Sequence, residues 1–425
     1  MTNVIKSGVL VHKSISPVTF TTQGALGKSA LRQANERLVL NAIREHPWLS
    51  RAGISRITGL SPSSVTFIVQ RLAREKLIQE GGTELAPRIG RPATNLRLTP
   101  GARLAIGVEL RSAASRVALA DWTGQILDVQ EVGWQPGAAE MLHAIRQRVQ
   151  LFLASRPASR FLGVGLSAPG TWDRGTGTLT SAVNLGWQQV AVQAGLAEGL
   201  NVPFYFDNNA NLSALGERWF RSAQDQGMDN FVFVTLSGGL GTGILVGGQV
   251  LHGAFGRAGE FGHMTTHAAG RRCLCGNRGC WEEYASDRAL VRLYGSLART
   301  DGNLQAQEIA RLALKGDAAA RRAIREVSRE LALGLANLIL GLNPETIVLD
   351  SWAALAWDLV EKGVWAALRA RVPEAWLEGV RIRPSSHAED SSLLGAIALV
   401  LANFFHSFEP SPRQISPTRV RIRRT

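Results

Sequence analysis

Residues 259–282 read GEFGHMTTHAAGRRCLCGNRGCWE and hold every cysteine of the 425-residue chain. Cys273, Cys275 and Cys280 fall within eight residues, and His263 lies ten residues before the first of them. Three thiols and one imidazole form the Cys3His donor set of a tetrahedral structural zinc site. Core packing does not explain why a chain's only thiols share one loop. A disulfide is disfavoured, because Cys-x-Cys is a strained pairing and a cytosolic chain resists oxidation. His267 stands as an alternative fourth ligand on spacing alone. With four protein ligands, the Zn2+ expected at loop 263–280 is structural rather than hydrolytic.

Around this loop the composition is that of an ordinary globular protein, 45% apolar and 19% charged. No apolar run approaches the ~20 residues of a membrane-spanning helix, and the first 20 residues lack the compact apolar block of a secretory signal. A cytoplasmic protein without membrane contact is expected. The net charge of +13 is concentrated at the ends. Residues 1–100 carry 14 basic and 5 acidic side chains, net +9, and residues 411–425 carry five arginines and no acid. The basic N-terminal portion points to a polyanion as partner. The run RVRIRRT, preceded by Pro410, Pro412 and Pro417, reads as a solvated tail over 409–425, and residues 1–30 as a disordered arm.

Residues 31–45 place Leu31, Leu38, Val39, Ala42 and Ile43 on one face at helical spacing. Ser50 offers a cap to a second helix carrying Ala52, Ile54 and Ile57, which Gly59 ends in a left-handed turn. Ser61 caps a third helix with Pro62 at its first position and Val65, Ile68, Val69 and Leu72 as its inward stripe. Helix, tight turn, helix is the geometry that sets the second helix in the DNA major groove. Ser63, Ser64, Thr66 and Gln70 then face outward to reach base edges. The Gly- and Pro-punctuated stretch 81–98 predicts a β-hairpin wing presenting Arg88 and Arg91, the latter in a Gly-Arg-Pro suited to a narrow minor groove. A helical protein-binding module is the alternative for 31–100, and the charge and turn chemistry together favour a winged helix–turn–helix on double-stranded DNA.

From Arg103 the pattern changes to alternating strands around an Asp-Trp-Thr-Gly turn at 121–124, followed by strands and helices in alternation. Helices are expected at 138–154, 284–299, 304–314, 318–340 and 391–406. Residues 101–408 thus form an α/β domain in two lobes. The SGGLGTG at 237–243 is by itself a weak sign of a phosphate cradle.

GEFGHM at 259–264 followed by CLCGNRGCWE at 273–282 closely resembles the zinc and sugar motif of the ROK family of repressors, open reading frames and sugar kinases. CGNRGCWEEYAS is most similar to the xylose-repressor branch, and the resemblance runs through GVGLSAPG, NLGW, DNNAN and SALGE over about residues 31–400. It implies two ribonuclease-H-like (actin/hexokinase-like) lobes with a sugar in the cleft between them. The family's sugar-binding positions match Asn208, Asn209, Glu260, His263 and Glu282, with His263 turning one ring nitrogen to zinc and the other to sugar. Glu260 and Glu282 otherwise read as a solvated face or as neighbours of the metal set.

Against the family's kinases three features differ. The catalytic Asp of their NDA motif is Asn209 here, and a neutral amide cannot take a proton from a sugar hydroxyl. Asp207, two residues earlier, is a poor substitute. The glycine-rich first phosphate loop reads Glu109-Leu110-Arg111-Ser112-Ala113, and the late Gly-Gly is Asp350-Ser351, whose carboxylate would repel a polyphosphate. The resemblance therefore implies a non-enzymatic, sugar-responsive repressor of carbohydrate utilisation, acting as a homodimer or tetramer on an operator. An ATP-dependent sugar kinase with an appended DNA-binding domain is the alternative, and control by a protein partner is a further one.

Overall fold

The computed structural model describes residues 28–81, 95–220, 228–299 and 304–406. The N-terminal unit comprises α1 (Lys28–Glu45), β1 (Leu49–Ser50), α2 (Arg51–Thr58), α3 (Pro62–Arg74), β2 (Ile78–Glu80) and β3 (Asn95–Leu98). Its caps are those the sequence chemistry requires. The Ser50 hydroxyl accepts the Gly53 N–H at 3.2 Å and the Ser61 hydroxyl accepts that of Ser64 at 3.2 Å. Gly59, at φ 70°, turns the chain between α2 and α3 where a side chain would be strained. Val65, Ile68, Val69 and Leu72 of α3 are buried with Val39, Leu40 and Ile43 of α1. Of the three apolar residues expected to serve α2, only Ile54 is buried. An eight-residue helix has one turn to bury, and Gly53 fills its other inward position against Leu49.

β3 pairs antiparallel with both β2 and β1, forming the base of the wing. Arg88 and Arg91 lie between β2 and β3, outside the described residues, as does the basic segment 409–425. α1 begins at Lys28, three residues before the expected domain start, because no breaker separates residues 28 to 31.

The first lobe holds β4 (Leu104–Glu109), β5 (Ala114–Asp121), β6 (Ile126–Gly133), α4 (Ala138–Ala154), β7 (Phe161–Ala168), a small sheet of β8 (Thr171–Asp173), β9 (Thr178–Ala182) and β10 (Trp187–Val190), then α5 (Val192–Ala197), β11 (Phe204–Asn208) and α6 (Asn209–Trp219). The second holds β12 (Phe231–Thr235), β13 (Gly241–Val246), β14 (Gln249–Val250), α7 (Glu282–Ala285), α8 (Asp287–Ala298), α9 (Ala306–Leu314), α10 (Ala318–Leu342), β15 (Thr346–Leu349), α11 (Ser351–Leu355), α12 (Trp357–Arg369), α13 (Glu374–Leu377) and β16 (Arg381–Pro384), with α14 (Ser391–His406) returning to the first sheet. The helix expected over 284–299 is split, because Ser286 adopts an extended backbone that ends α7 and starts α8.

The two five-stranded sheets run β6-β5-β4-β7-β11 and β14-β13-β12-β15-β16. Each is an antiparallel three-strand meander extended by two parallel strands. One topology used twice gives the two ribonuclease-H-like lobes that the sequence implied. α4 covers the outer face of the first sheet, and α8, α9, α10 and α12 the outer face of the second. Between the sheets, α14 lies on β4 and β7, α6 lies on β12 and β13, and the two helices pack on each other. The α14 core continues into α1, so the N-terminal unit and the first lobe share one apolar cluster across the boundary near residue 100.

Candidate functional site: an interlobe cleft beside a Cys3His cluster

A cleft of about 2200 Å3 separates the lobes, and Asn208, Asn209, Glu260, His263 and Glu282 all line it. They arrive on three local devices: the β11–α6 corner, the Glu260–His263 turn and the start of α7. Asn208 ends β11 and caps α6: its Oδ1 accepts the Ala210 N–H at 2.8 Å and its Nδ2 donates to the Gly170 carbonyl at 2.9 Å. Asn209 is the first residue of α6, and no side-chain hydrogen bond engages it among the described residues. The two asparagines therefore divide the work, Asn208 fixing the corner and Asn209 facing the cleft.

Gly259, at φ 94°, opens the short turn Glu260–His263 that brings Glu260 and His263 to the same wall. Their Oε2 and Nε2 are 4.0 Å apart, while His263 Nδ1 points the other way, 3.7 Å from Cys273 Sγ. Glu282 is buried: Oε2 accepts the Leu240 N–H at 3.0 Å, and Oε1 pairs with Arg288 at 2.6 Å. Between Cys280 and Glu282, Trp281 is fully buried, and its indole N–H donates to the Glu330 carbonyl at 3.0 Å. That anchor separates a metal-facing residue from a cleft-facing one.

His263, Cys273, Cys275 and Cys280 place one donor atom each within 4.8 Å of one another, a group able to hold a metal ion. Burial first, and the neighbouring sulfurs Cys275 and Cys280, push the Cys273 thiol up to about 12 without a cation. A dication at the centre reverses that preference, since thiolate is the ligating form. Donor type, number and spacing all fit a tetrahedral zinc. His267 is not in the group. Its ring stacks on Tyr284 at 4.0 Å and its Nε2 faces Glu330 at 3.4 Å, so the alternative ligand set is set aside.

Asp207 is fully engaged elsewhere, pairing with His252 at 2.6 Å and Arg174 at 2.9 Å and accepting the Asn211 amide at 3.1 Å. Burial raises its carboxyl, but these partners outweigh that and hold it below the usual range. At the far end of the cleft Asp350 accepts the Leu236 N–H at 2.7 Å, and Ser351 donates to Asp287 at 2.7 Å while accepting from Gln307 at 3.0 Å. Ser351 keeps φ 53°, a backbone suited to glycine, with a side chain on it. Burial pushes both Asp350 and Asp287 up to about 7. Glu109 pairs with Arg116 at 2.8 Å, and Arg111 stands in the cleft wall beside it.

On α3, Ser63, Thr66 and Gln70 are exposed and Ser64 is half-buried. The Ser64 hydroxyl bonds that of Ser61 at 2.8 Å and the Thr66 hydroxyl donates to the Pro62 carbonyl at 2.8 Å, so these groups also order the first turn. Sequence reasoning missed Phe67, which is 55% exposed on the same face with the Arg32 guanidinium 5.8 Å above its ring. Its place outside the inward stripe was the available signal. Arg288, Arg174 and His252 were also missed: Asp207, the partner of Arg174 and His252, is distant in sequence, and Arg288 meets Glu282 across the α7–α8 break that the sequence did not show.

A profile of the ROK family matches residues 105–403, and one of winged helix–turn–helix DNA-binding domains matches residues 32–79. The xylose repressor of Bacillus subtilis (strain 168) is 29% identical over 377 residues, spanning 88% of this chain and 96% of that one. Among solved structures, a ROK family transcriptional regulator that is a homologue of the Escherichia coli MLC protein superposes with a TM-score of 0.74 at 24% identity, over 88% of this chain and 97% of its own. A ROK family glucokinase from Streptomyces griseus, in complex with glucose and AMPPNP, superposes with a TM-score of 0.62 at 28% identity, over 70% of this chain and 98% of its own. No described helix is long and apolar enough to cross a membrane.

Proposed function

The chain belongs to the ROK family, and from that membership we propose that it is a sugar-responsive transcriptional repressor of carbohydrate-utilisation genes, with xylose the first candidate effector. The observation that carries this reading is the union in one chain of an exposed polar α3 on a winged helix–turn–helix and a cleft lined by carboxylates, amides and an imidazole. Such groups pair the hydroxyls of a sugar without leaving either side unsatisfied. Asn209, Glu260, His263 and Glu282 would contact the sugar, and Asn208 would hold the corner from which Asn209 projects.

Zn2+ held by His263, Cys273, Cys275 and Cys280 would supply no chemistry beyond fixing the loop. His263 would present Nε2 to the ligand while Nδ1 ligates, so the metal orients a sugar contact. Ser63, Ser64, Thr66 and Gln70 would read base edges and Arg88 and Arg91 the backbone or minor groove of a two-fold operator, with the protein a cytoplasmic homodimer or tetramer.

Phosphoryl transfer is not part of the proposal. Asn209 cannot act as base, Asp207 is tied to Arg174 and His252, and Asp350-Ser351 would stand where the family's kinases carry a glycine pair. The likeness to a glucokinase and the retained SGGLGTG favour a second reading, an ATP-dependent kinase with a regulatory domain. Footprinting on the gene's own upstream DNA, beside an ADP-release assay with xylose and glucose, separates the two. A two-fold protected site with no sugar-dependent ADP is expected; sugar-dependent ADP without protection would overturn the repressor.

A further inference from the structure

Helices α6 and α14 each touch the cleft with one end and the DNA-binding unit with the other. α6 starts at Asn209 in the cleft wall and ends at Trp219; α14 starts at Ser391 and Ser392 in the same wall and carries Phe404 and Phe405 on its last turn. On the last turn of α1, Arg44 stacks its guanidinium over the Trp219 ring at 3.9 Å and stands 5.5 Å from the centre of the Phe405 ring. The two rings are 6.1 Å apart. Arg37, two turns earlier on the same face of α1, stands 5.6 Å over Phe404. The Arg44 side chain is only 15% exposed, and Asn41 Oδ1 accepts from it at 3.0 and 2.9 Å. It is a seam residue, enclosed between α1 and the ends of α6 and α14.

We infer that Arg44 is the joint through which occupancy of the cleft sets the placement of the DNA-binding unit. The inference rests on the reading that the cleft binds sugar. α6 packs on the second sheet and α14 on the first, so drawing the lobes together shears one helix along the other. Their contact is built for that motion. A Cβ on Gly216 would lie 2.8 Å from the Gly395 nitrogen, and one on Gly395 would collide with the Leu212 carbonyl, so the helices meet backbone to backbone. Trp219 and Phe405 ride on the ends of the two sliding helices. Arg44 holds both rings at once, so a shear between them changes its seat and tilts α1, on which α2 and α3 pack. Cation–π stacking on a largely desolvated ring is strong enough to transmit that change.

The test uses the full-length protein and three quantities: xylose affinity by calorimetry, affinity for the gene's upstream DNA by fluorescence anisotropy, and the ratio of DNA affinities with and without xylose. Couplings of this kind run from roughly 5- to 150-fold. Arg44→Ala is expected to leave xylose affinity and sugar-free DNA affinity within about threefold of the parent while the ratio falls to below about two. By reciprocity, the effect of DNA on xylose affinity disappears to the same degree. Arg44→Lys keeps the stem and charge but not the planar stack, and serves where alanine compromises folding; a reduced ratio is expected there too. A parental ratio in either folded variant overturns the joint and leaves the sugar-sensing reading standing. An unmodified protein that binds no sugar overturns the reading, and the joint with it.

Discussion

Glu282 shows how much of this site depends on the groups that hold a cleft side chain in place. Its two oxygens are held by the Leu240 N–H and the Arg288 guanidinium, both donors to the charged carboxylate. Arg288→Gln is expected to weaken sugar binding about tenfold, as one charge-assisted hydrogen bond of roughly 1.5–3 kcal/mol is reduced, with metal content unchanged; calorimetry and metal analysis check the two halves. Cys275→Ser removes a ligand from the cluster, so the metal should be lost, the 260–282 loop loosened and the DNA response to sugar abolished. Full metal content in that variant would contradict the ligand assignment. Asn209→Asp puts a carboxylate at the α6 start, yet with Asp350-Ser351 in place of a glycine pair ADP release should still stay at background. The gathering of His263 with the three cysteines was legible because thiols are rare and three fall within eight residues. Arg288 and the Arg174–Asp207–His252 set were not, since nothing local marks a residue whose partner lies on another element.

Among the elements, α3 is the one whose sequence and structure agree most fully: cap, proline, inward stripe and an exposed face from which only Ser64 is partly withdrawn. Local chemistry dictates such a helix. Ser61→Ala removes the cap and should cost about 1 kcal/mol of stability, read as a shift in the denaturation midpoint. Gln70→Ala and Phe67→Ala should each weaken operator binding by about 1–3 kcal/mol, with little change in the salt slope, because neither neutralises a phosphate. A lost salt slope in Phe67→Ala would mean that Arg32 above its ring, rather than the ring itself, makes the contact. α2 was read less well, as two of its three apolar residues are exposed, because an eight-residue helix packs through one turn and periodicity has no room to register. The break at Ser286 was likewise invisible, since the residues on both sides favour helix and a tertiary corner decides.

For the whole molecule, the repeated sheet order and the central α6–α14 pair were not legible in the sequence pattern, because strand order and the shared core with α1 are set by contacts hundreds of residues apart. The sequence resemblance supplied the two lobes; the structure adds what lies between them. Asp287 and Asp350, at the far end of the cleft, give the fold a pH signature. Both are held up to about 7, far above their ordinary 3.8, so the folded state binds their protons more tightly than the unfolded chain. Their contribution is full below about pH 4 and is lost as pH rises through 7, at up to about 1.4 kcal/mol per unit for one group. The melting temperature should therefore fall between pH 5 and 8, and Asp350→Asn should flatten that fall and raise the melting temperature at pH 8. A flat profile in the parent would contradict the neutral acid pair.

Whether the cleft governs the DNA-binding unit is read directly from the anisotropy of a labelled fragment of the gene's own upstream region, at fixed salt, titrated with protein in the absence and presence of xylose and a panel of other sugars. Tight binding that one sugar weakens is the predicted result. Binding that no sugar alters would contradict such control and leave the cleft to another ligand or the DNA response to a protein partner.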